Sequence, residues 1–141
     1  MGYFGRRLGA IIALVLALAG PGLSAGPDSI IGIWDRPAMG TRVQIHRCGD
    51  KLCGKIIRLL DHSQRDINNA DPRLRLRLLV GVPMFMGLAH SAGAWRGKLY
   101  LPEDGKTYKV KIFVLNSDKI TVRSCAFMHF FCTTETWTKV N

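Results

Sequence analysis

From residue 30 onward, apolar and polar side chains alternate with a period of two along most of the chain. In segment 41–48, for example, Val43 and Ile45 fall on one face of an extended strand, and Arg42 and Gln44 fall on the other. This alternation is typical of strands with one buried and one exposed face. The pattern predicts about eight strands, at residues 30–35, 41–48, 52–60, 82–88, 95–101, 107–115, 119–126 and 133–140.

The segments between most of these strands are short and rich in turn-forming residues, such as Gly49-Asp50 and the stretch 102–105. Short connections favour antiparallel pairing of consecutive strands. Eight such strands in one domain, residues 26–141, can form a sandwich or a closed barrel, and a barrel leaves no unpaired strand edge. We therefore predict an all-β fold, an eight-stranded antiparallel up-and-down barrel. Its interior can be filled by side chains or hold one small ligand.

Residues 1–25 differ from the rest of the chain and have the order of a secretory signal peptide. Arg6 and Arg7 precede an apolar run of about a dozen residues, which ends in helix breakers and small residues up to Ala25. A membrane-spanning helix needs about 20 apolar residues, so a retained anchor is the less favoured alternative. We expect a signal helix, cleavage after Ala25, a periplasmic or secreted protein, and no transmembrane span after cleavage.

Composition and charge narrow the classes of function. Of the 141 residues, 48% are hydrophobic, which excludes a disordered polyelectrolyte. The 20 basic residues outnumber the 10 acidic ones, and the formal net charge is +10. Such a field predicts attraction to an anionic component of the cell envelope, more strongly at low salt. Nucleic acid is not an expected partner, because an exported protein rarely meets it.

The four cysteines form two close pairs along the chain, Cys48 with Cys53 and Cys125 with Cys132. An even number of cysteines in a small exported chain is typical of disulfides. Four cysteines allow three connectivities, and proximity favours the two local bridges, each joining the arms of a hairpin. A zinc site is the alternative, but structural zinc sites usually space their cysteines more closely. We expect no metal and no cofactor.

Three stretches of the sequence resemble known families. Gly32-Ile33-Trp34 is similar to the opening of the first strand in lipocalins and related calycin barrels. The segments 48–54 and 66–138 resemble, in order and spacing, a family of small exported bacterial proteins known as domain of unknown function 2147. The second of these segments includes Trp95, Arg123 and Trp137. The resemblance implies a lipocalin-like barrel and no firm reaction. Lys139 departs from the family pattern, in which an arginine follows the last Trp-Thr.

Two sets of residues are candidates for ligand binding. Met84, Met86, Trp95 and Phe113 are large and apolar and could line a cavity, although ordinary core packing is the alternative. Arg73, Arg75 and Arg77 alternate with leucines, so in an extended strand their guanidinium groups would share one face. Such a ladder could receive phosphate or carboxylate groups. The alternative is a charged strand edge, paired with Asp66 and Asp71.

Other residues are expected to have structural roles. Gly32 and Trp34 open the first strand, and Lys139 should lie on the Trp34 ring where the last strand returns beside the first. Asp66, Asn68 and Asp71 offer oxygen atoms, but the pattern of a calcium-binding loop is missing, so side-chain-to-backbone hydrogen bonds are expected there. The segment 127–131 is an apolar hairpin tip that could touch a membrane or a partner.

No catalytic motif is present in the sequence. The four histidines are scattered, and Ser91 lacks the flanking glycines of a nucleophile elbow. The function we predict is therefore binding of a small apolar or amphipathic ligand by an exported barrel. The alternative is an envelope interaction protein with a filled barrel and a basic surface.

Overall fold

In a computed structural model, which describes residues 26–126 and 130–141, the chain forms a closed barrel of eight antiparallel strands in sequential order. The strands are β1 (Gly32–Arg36), β2 (Thr41–Cys48), β3 (Lys51–Arg58), β4 (Pro83–Ser91), β5 (Ala94–Leu101), β6 (Lys106–Val114), β7 (Lys119–Ala126) and β8 (Phe131–Lys139). This architecture confirms the predicted all-β, up-and-down barrel. The expected signal helix lies outside the described residues. None of the helices among the described residues is long and apolar enough to span a bilayer.

Strand boundaries agree with the prediction for β2 and β7 and differ by one to three residues elsewhere. The largest difference is in β4, which continues to Ser91 although alternation predicts an end at Leu88. The pairing of β4 with β5 shifts register between Met86 and Ala89, where Gly87 has a positive φ of 60°. This irregularity interrupts the alternation, and the sequence pattern therefore ends too early.

The end of the barrel where β1 begins and β8 ends is closed by an N-terminal 3₁₀ turn, Pro27–Ile30. The side chain of Trp34 is fully buried there, and its indole N–H donates to the Ile30 carbonyl at 2.7 Å. The Trp95 indole N–H donates to the Pro27 carbonyl at 3.1 Å. These bonds hold the turn across the barrel end.

The expected contact between Lys139 and Trp34 is present at this closed end. The Lys139 Nζ atom lies 5.4 Å from the centre of the Trp34 ring and donates to the Ser29 carbonyl at 2.8 Å. Gly32 has a φ of 142°, and a Cβ atom on it would come within 2.8 Å of the Lys139 side chain. The glycine of the Gly-x-Trp stretch therefore leaves room for the lysine that covers the tryptophan.

Both predicted disulfides are present, and each joins the arms of one hairpin. Cys48–Cys53 links β2 to β3 at the closed end, and Cys125–Cys132 links β7 to β8 at the opposite end. Cys125 and Cys132 are directly opposite each other in the strand register. The bridges therefore fix the pairing of hairpins that the backbone hydrogen bonds already define.

Replacing Lys139 by Met is expected to lower the free energy of unfolding by about 1–2 kcal/mol, because it removes a cation on a buried ring and a hydrogen bond to a carbonyl. The matched change Lys119→Met, at an exposed strand lysine, should alter it by less than about 0.5 kcal/mol. Urea unfolding of both variants measures the difference. Equal losses would contradict the role of Lys139 in closing the barrel.

Candidate functional site

A cavity of about 400 Å³ opens at the end of the barrel opposite the 3₁₀ turn, and we call this end the mouth. It lies between the β1–β2 turn, the β5–β6 turn and the long β3–β4 connection, residues 59–82, which we call the lid. Its wall is mainly apolar, with contributions from Met39, Ile56, Leu59, Ile67, Leu79, Met84 and Pro102. A concave, mainly apolar space with a few polar groups is the usual form of a small-molecule site.

An ion-paired cluster lies inside the barrel beside this cavity. Arg36 is buried at the end of β1, and its Nε and Nη2 atoms donate to the two carboxylate oxygens of Glu135 at 2.7 and 2.8 Å. Its Nη1 atom pairs with Glu103 from the β5–β6 turn. Glu135 also accepts the Trp137 indole N–H at 2.9 Å. One arginine is thus shared by two carboxylates, and the cluster carries an excess of one negative charge.

The contacts of this cluster act on the pKa of the Glu135 carboxyl. The hydrogen bonds from Arg36 lower the pKa of the Glu135 carboxyl, and the Trp137 N–H and the arginine charge act in the same direction. Burial of the carboxyl opposes them but is outweighed. Glu135 is therefore ionised at neutral pH, and the positive charge of Arg36 is already compensated before any ligand enters.

The lid is anchored to the barrel by Asp66, whose side chain is fully buried. Asp66 accepts hydrogen bonds from the Tyr100 hydroxyl on β5, from Asn69 Nδ2 at 2.8 Å and from Arg77 Nε at 2.9 Å. Burial would raise the pKa of Asp66, but these three donors together lower it. Burial and the hydrogen bond to Asp66 raise the pKa of Tyr100 to about 12. The lid is thus held by a charged, fully hydrogen-bonded side chain.

A second anchor ties the lid to the β5–β6 turn. Asn68 Nδ2 donates to the carbonyl oxygens of Pro102 and Glu103 at 3.2 and 3.1 Å. Gly105 in the same turn has a φ of 70°, and a Cβ atom on it would overlap the Asn68 carbonyl oxygen at 1.7 Å. The turn and the lid therefore approach as closely as they do because residue 105 is a glycine.

The structure places the four apolar candidates in different surroundings. Met84 contributes to the wall of the mouth cavity. Trp95 is buried at the closed end, where it binds the 3₁₀ turn, and Met86 lies on the outer wall of the barrel. Phe113 is also on the outer face, and 36% of it is exposed. Only Met84 of this group is at the mouth.

The expected ladder of arginines on an extended strand is wrong. Residues Pro72–Leu74 form a 3₁₀ turn, capped by Asp71, which accepts the Arg73 backbone N–H at 3.0 Å. Proline favours the start of such a turn, so the chain bends where the alternation of Arg and Leu suggested a strand. The guanidinium groups turn to separate partners within the lid instead of sharing one face.

The partners of these arginines lie within the lid itself. Arg73 pairs with Asp71 at 2.9 Å, and Arg77 pairs with Asp66 at 2.7 Å. Arg75 donates to the Asn69 carbonyl at 2.8 Å. The expected side-chain-to-backbone bonds are therefore present at Asn68 and Asp71, whereas Asp66 accepts from three side chains instead. Within residues 26–126 and 130–141, no three His, Cys, Asp or Glu side chains are grouped as metal ligands would be.

The segment 127–131 lies partly outside the described residues. Phe130 and Phe131, which are described, are strongly exposed at the mouth.

Sequence reasoning missed Arg36 and Glu135, although a signal for both was present. Arg36 follows Trp34 by two residues, and Glu135 precedes Trp137 by two, so both share the inward face of a buried tryptophan. A charged residue at an inward position must be paired to be tolerated. Their mutual pairing depends on the contact of β1 with β8, which closes the barrel.

Replacing Gly105 by Ala is expected to destabilise the fold by more than replacing Gly49 by Ala. Both glycines have φ near 70°, so each alanine should cost about 1–2 kcal/mol from backbone strain. A Cβ atom at residue 49 meets nothing, whereas one at residue 105 displaces the lid. Urea unfolding and limited proteolysis of the lid measure the two effects. Equal destabilisation with an unchanged rate of lid cleavage would contradict the close approach.

Replacing Asp66 by Asn is expected to lower the free energy of unfolding at pH 7 by about 2 kcal/mol, because the Arg77 pair and two other charge-assisted hydrogen bonds are weakened. The lowered pKa of Asp66 gives stability that is present above about pH 4 and is lost as the pH falls through its folded-state value. The difference between variant and wild type should therefore shrink in acid. Asp118→Asn, at an exposed turn, is the control. A difference that does not change with pH would contradict the assignment.

Comparisons with known proteins agree with this architecture. A family model described as an uncharacterised protein conserved in bacteria (DUF2147) matches residues 32–139. Among solved structures, the barrel is similar to protein HP1028 from Helicobacter pylori, described as belonging to the lipocalin family. The TM-score is 0.68 at 26% identity, over 79% of this chain and 82% of that one. The curated proteins gave no significant match. The match over residues 32–139 confirms the resemblance seen in the sequence, and the chain belongs to the bacterial DUF2147 family.

Proposed function

We propose that the protein binds a small amphipathic molecule, with an apolar body and an uncharged polar group, in the mouth cavity. The observation that carries this proposal is a cavity of about 400 Å³ whose wall is mainly apolar and whose one buried cation is already neutralised. Its volume lies within the range of about 300–1,000 Å³ that is usual for small-molecule sites.

The apolar wall accounts for the body of the ligand. Ile56, Leu59, Leu79 and Met84 are buried, and they come from β3, the lid and β4. Methionine is flexible and adapts to irregular apolar shapes, so Met84 suits a ligand that need not be rigid. Transfer of apolar ligand surface into this space would stabilise the complex by about 25 cal/mol for each Å² removed from water.

The buried charges beside the cavity argue against a ligand carboxylate next to Arg36. The second arginine of the wall, Arg65, is exposed and donates to the Leu76 carbonyl. Arg36 already faces Glu103 and Glu135, and a third anion near it would add to the negative excess. Thr41, Gln64 and Asn68 also line the cavity and offer uncharged hydrogen-bonding groups. We infer that an alcohol, ester or amide suits the site better than an acid of the same length.

The compartment is part of the same proposal. Two disulfides are typical of a protein that folds in an oxidising environment, and the first 25 residues have the pattern of an export signal. We propose that the protein acts in the periplasm or outside the cell. Its similarity to a structure described as a lipocalin is compatible with a binding role, because an eight-stranded barrel can hold one small ligand.

Binding of the neutral apolar dye N-phenyl-1-naphthylamine, followed by its fluorescence, tests the proposal. We expect saturable binding, and displacement by dodecanol at a concentration at least about five times lower than that needed with dodecanoate at pH 7.5. Displacement by the two at equal concentrations would contradict the inference about charge. Absence of saturable dye binding and of displacement by either molecule would contradict the ligand site itself.

Replacing Met39 by Glu is expected to weaken dye binding at least fivefold, because it places a charge in the apolar wall of the mouth. Met39 is 44% exposed, so the fold should tolerate the change. Leu115→Glu is the matched control, since Leu115 is 56% exposed in the turn after β6, at the closed end. Equal effects of the two variants on the dissociation constant would place the dye elsewhere.

A further inference from the structure

The outer wall of the barrel from β3 to β7 has an unusual distribution of charge. These five strands contain no aspartate or glutamate, whereas every one of them except β4 contains lysine or arginine. The acidic residues of the described chain lie in turns, in the lid, on β1 and inside the barrel at Glu135. Surfaces that serve only solubility usually mix the two signs.

A groove of about 770 Å³ runs across this wall. Its floor includes backbone at Gly87 and Gly97, which contribute no side chains, and its walls are formed by cations from four strands. The basic residues that line it, which we call the basic groove, are Lys51, Arg96, Lys98, Lys109, Lys111 and Arg123.

The strand register brings these cations directly beside one another. Arg96 pairs with Lys111, and Lys111 pairs with Arg123, so three cations form a row across β5, β6 and β7. Lys98 pairs with Lys109 in a second row. Neighbouring strands are about 5 Å apart, and the rows are separated by two residues, or about 7 Å. Like charges placed directly opposite each other on a sheet disfavour the folded state.

The groove cations also differ from Arg73 and Arg77 of the lid in lacking acidic partners. No ion pair within the described ranges 26–126 and 130–141 involves any residue of the basic groove. In contrast, Arg73 and Arg77 are each paired with an aspartate. The charges of the groove are therefore available to a ligand, whereas those of Arg73 and Arg77 are compensated.

We propose that the basic groove binds an extended polyanion that carries a row of phosphate groups. Lysine and arginine are the side chains that bind phosphate, and several of them along one groove act together on a chain with repeated charges. The groove is concave, which suits a single chain better than a flat membrane. The strongly exposed apolar side chains that a membrane would engage, such as Leu76 and Phe130, lie at the mouth instead.

Inorganic polyphosphate is the probe that tests this proposal, and its binding can be measured by calorimetry at several salt concentrations. The variant K98Q/K109Q/K111Q removes three groove lysines. The matched control K55Q/K106Q/K119Q removes three exposed strand lysines outside the groove, with the same change in net charge. We expect the groove variant to bind at least tenfold more weakly near 0.1 M salt, and the control to change less than about threefold.

The salt dependence provides a second measurement. Each contact to a phosphate adds about 0.7 to the slope of log K against log salt for a single-stranded polyanion, so the groove variant should lose about 2 in slope. Equal losses in both variants, or no binding by the wild type at low salt, would overturn the proposal. Binding to phosphatidylglycerol vesicles without binding to polyphosphate would also overturn it in favour of a membrane. Dye binding at the mouth should be unchanged in both variants, which separates this test from that of the proposed function.

We also expect the groove variant to be more thermally stable than the control when no polyanion is present. Removing three of the adjacent like charges relieves their mutual repulsion, and added salt should reduce the difference by screening it. A melting temperature that falls further in the groove variant than in the control would mean that these lysines stabilise the fold, which would contradict the proposal.

Discussion

The seam between β1 and β8 is the contact on which the other features of this molecule depend. Among the described residues, Trp34 with Lys139 and Asp35 with Thr138 are the register pairs across it, and the Val140 N–H donates to the Ile33 carbonyl at 2.9 Å, so the seam is short. The seam is reinforced by side chains: Trp34 is fully buried and bonded to Ile30, and Lys139 covers its ring. Without this closure β1 and β8 would become sheet edges, and the buried Arg36 would lose its partner on β8.

The two ends of the barrel use different kinds of interaction. The closed end is packed by the buried rings of Trp34 and Trp95, which remove much apolar surface from water. At the mouth, the ion-paired cluster around Arg36 takes the place of a packed apolar layer, and the lid approaches the barrel through Asp66 and Asn68. Polar groups of this kind must be satisfied by fixed partners. The mouth is therefore shaped by hydrogen bonds, and a cavity remains between lid and wall.

Alternation of apolar and polar residues was sufficient to predict the strands, because burial of one face of a sheet has a fixed local period. It was insufficient for the candidate site. Arg73, Arg75 and Arg77 alternate with leucines, yet a proline turn and local carboxylates gave them separate partners. Phe113 is as apolar as Met84 but lies on the outer face, because β6 pairs with its neighbours in a register that directs Val110 and Ile112 inward.

The amino-acid sequence by itself determined the all-β class, the order of the strands and the family, and proximity along the chain favoured the two hairpin disulfides. These properties depend on residues that are close together along the chain or on a recurring local pattern. Only the tertiary structure decided that Arg36 meets a carboxylate 99 residues away, that the lid covers the mouth, and that Arg96, Lys111 and Arg123 form one row. Such contacts depend on barrel closure and strand register, which bring distant side chains together and which a pattern of period two does not encode.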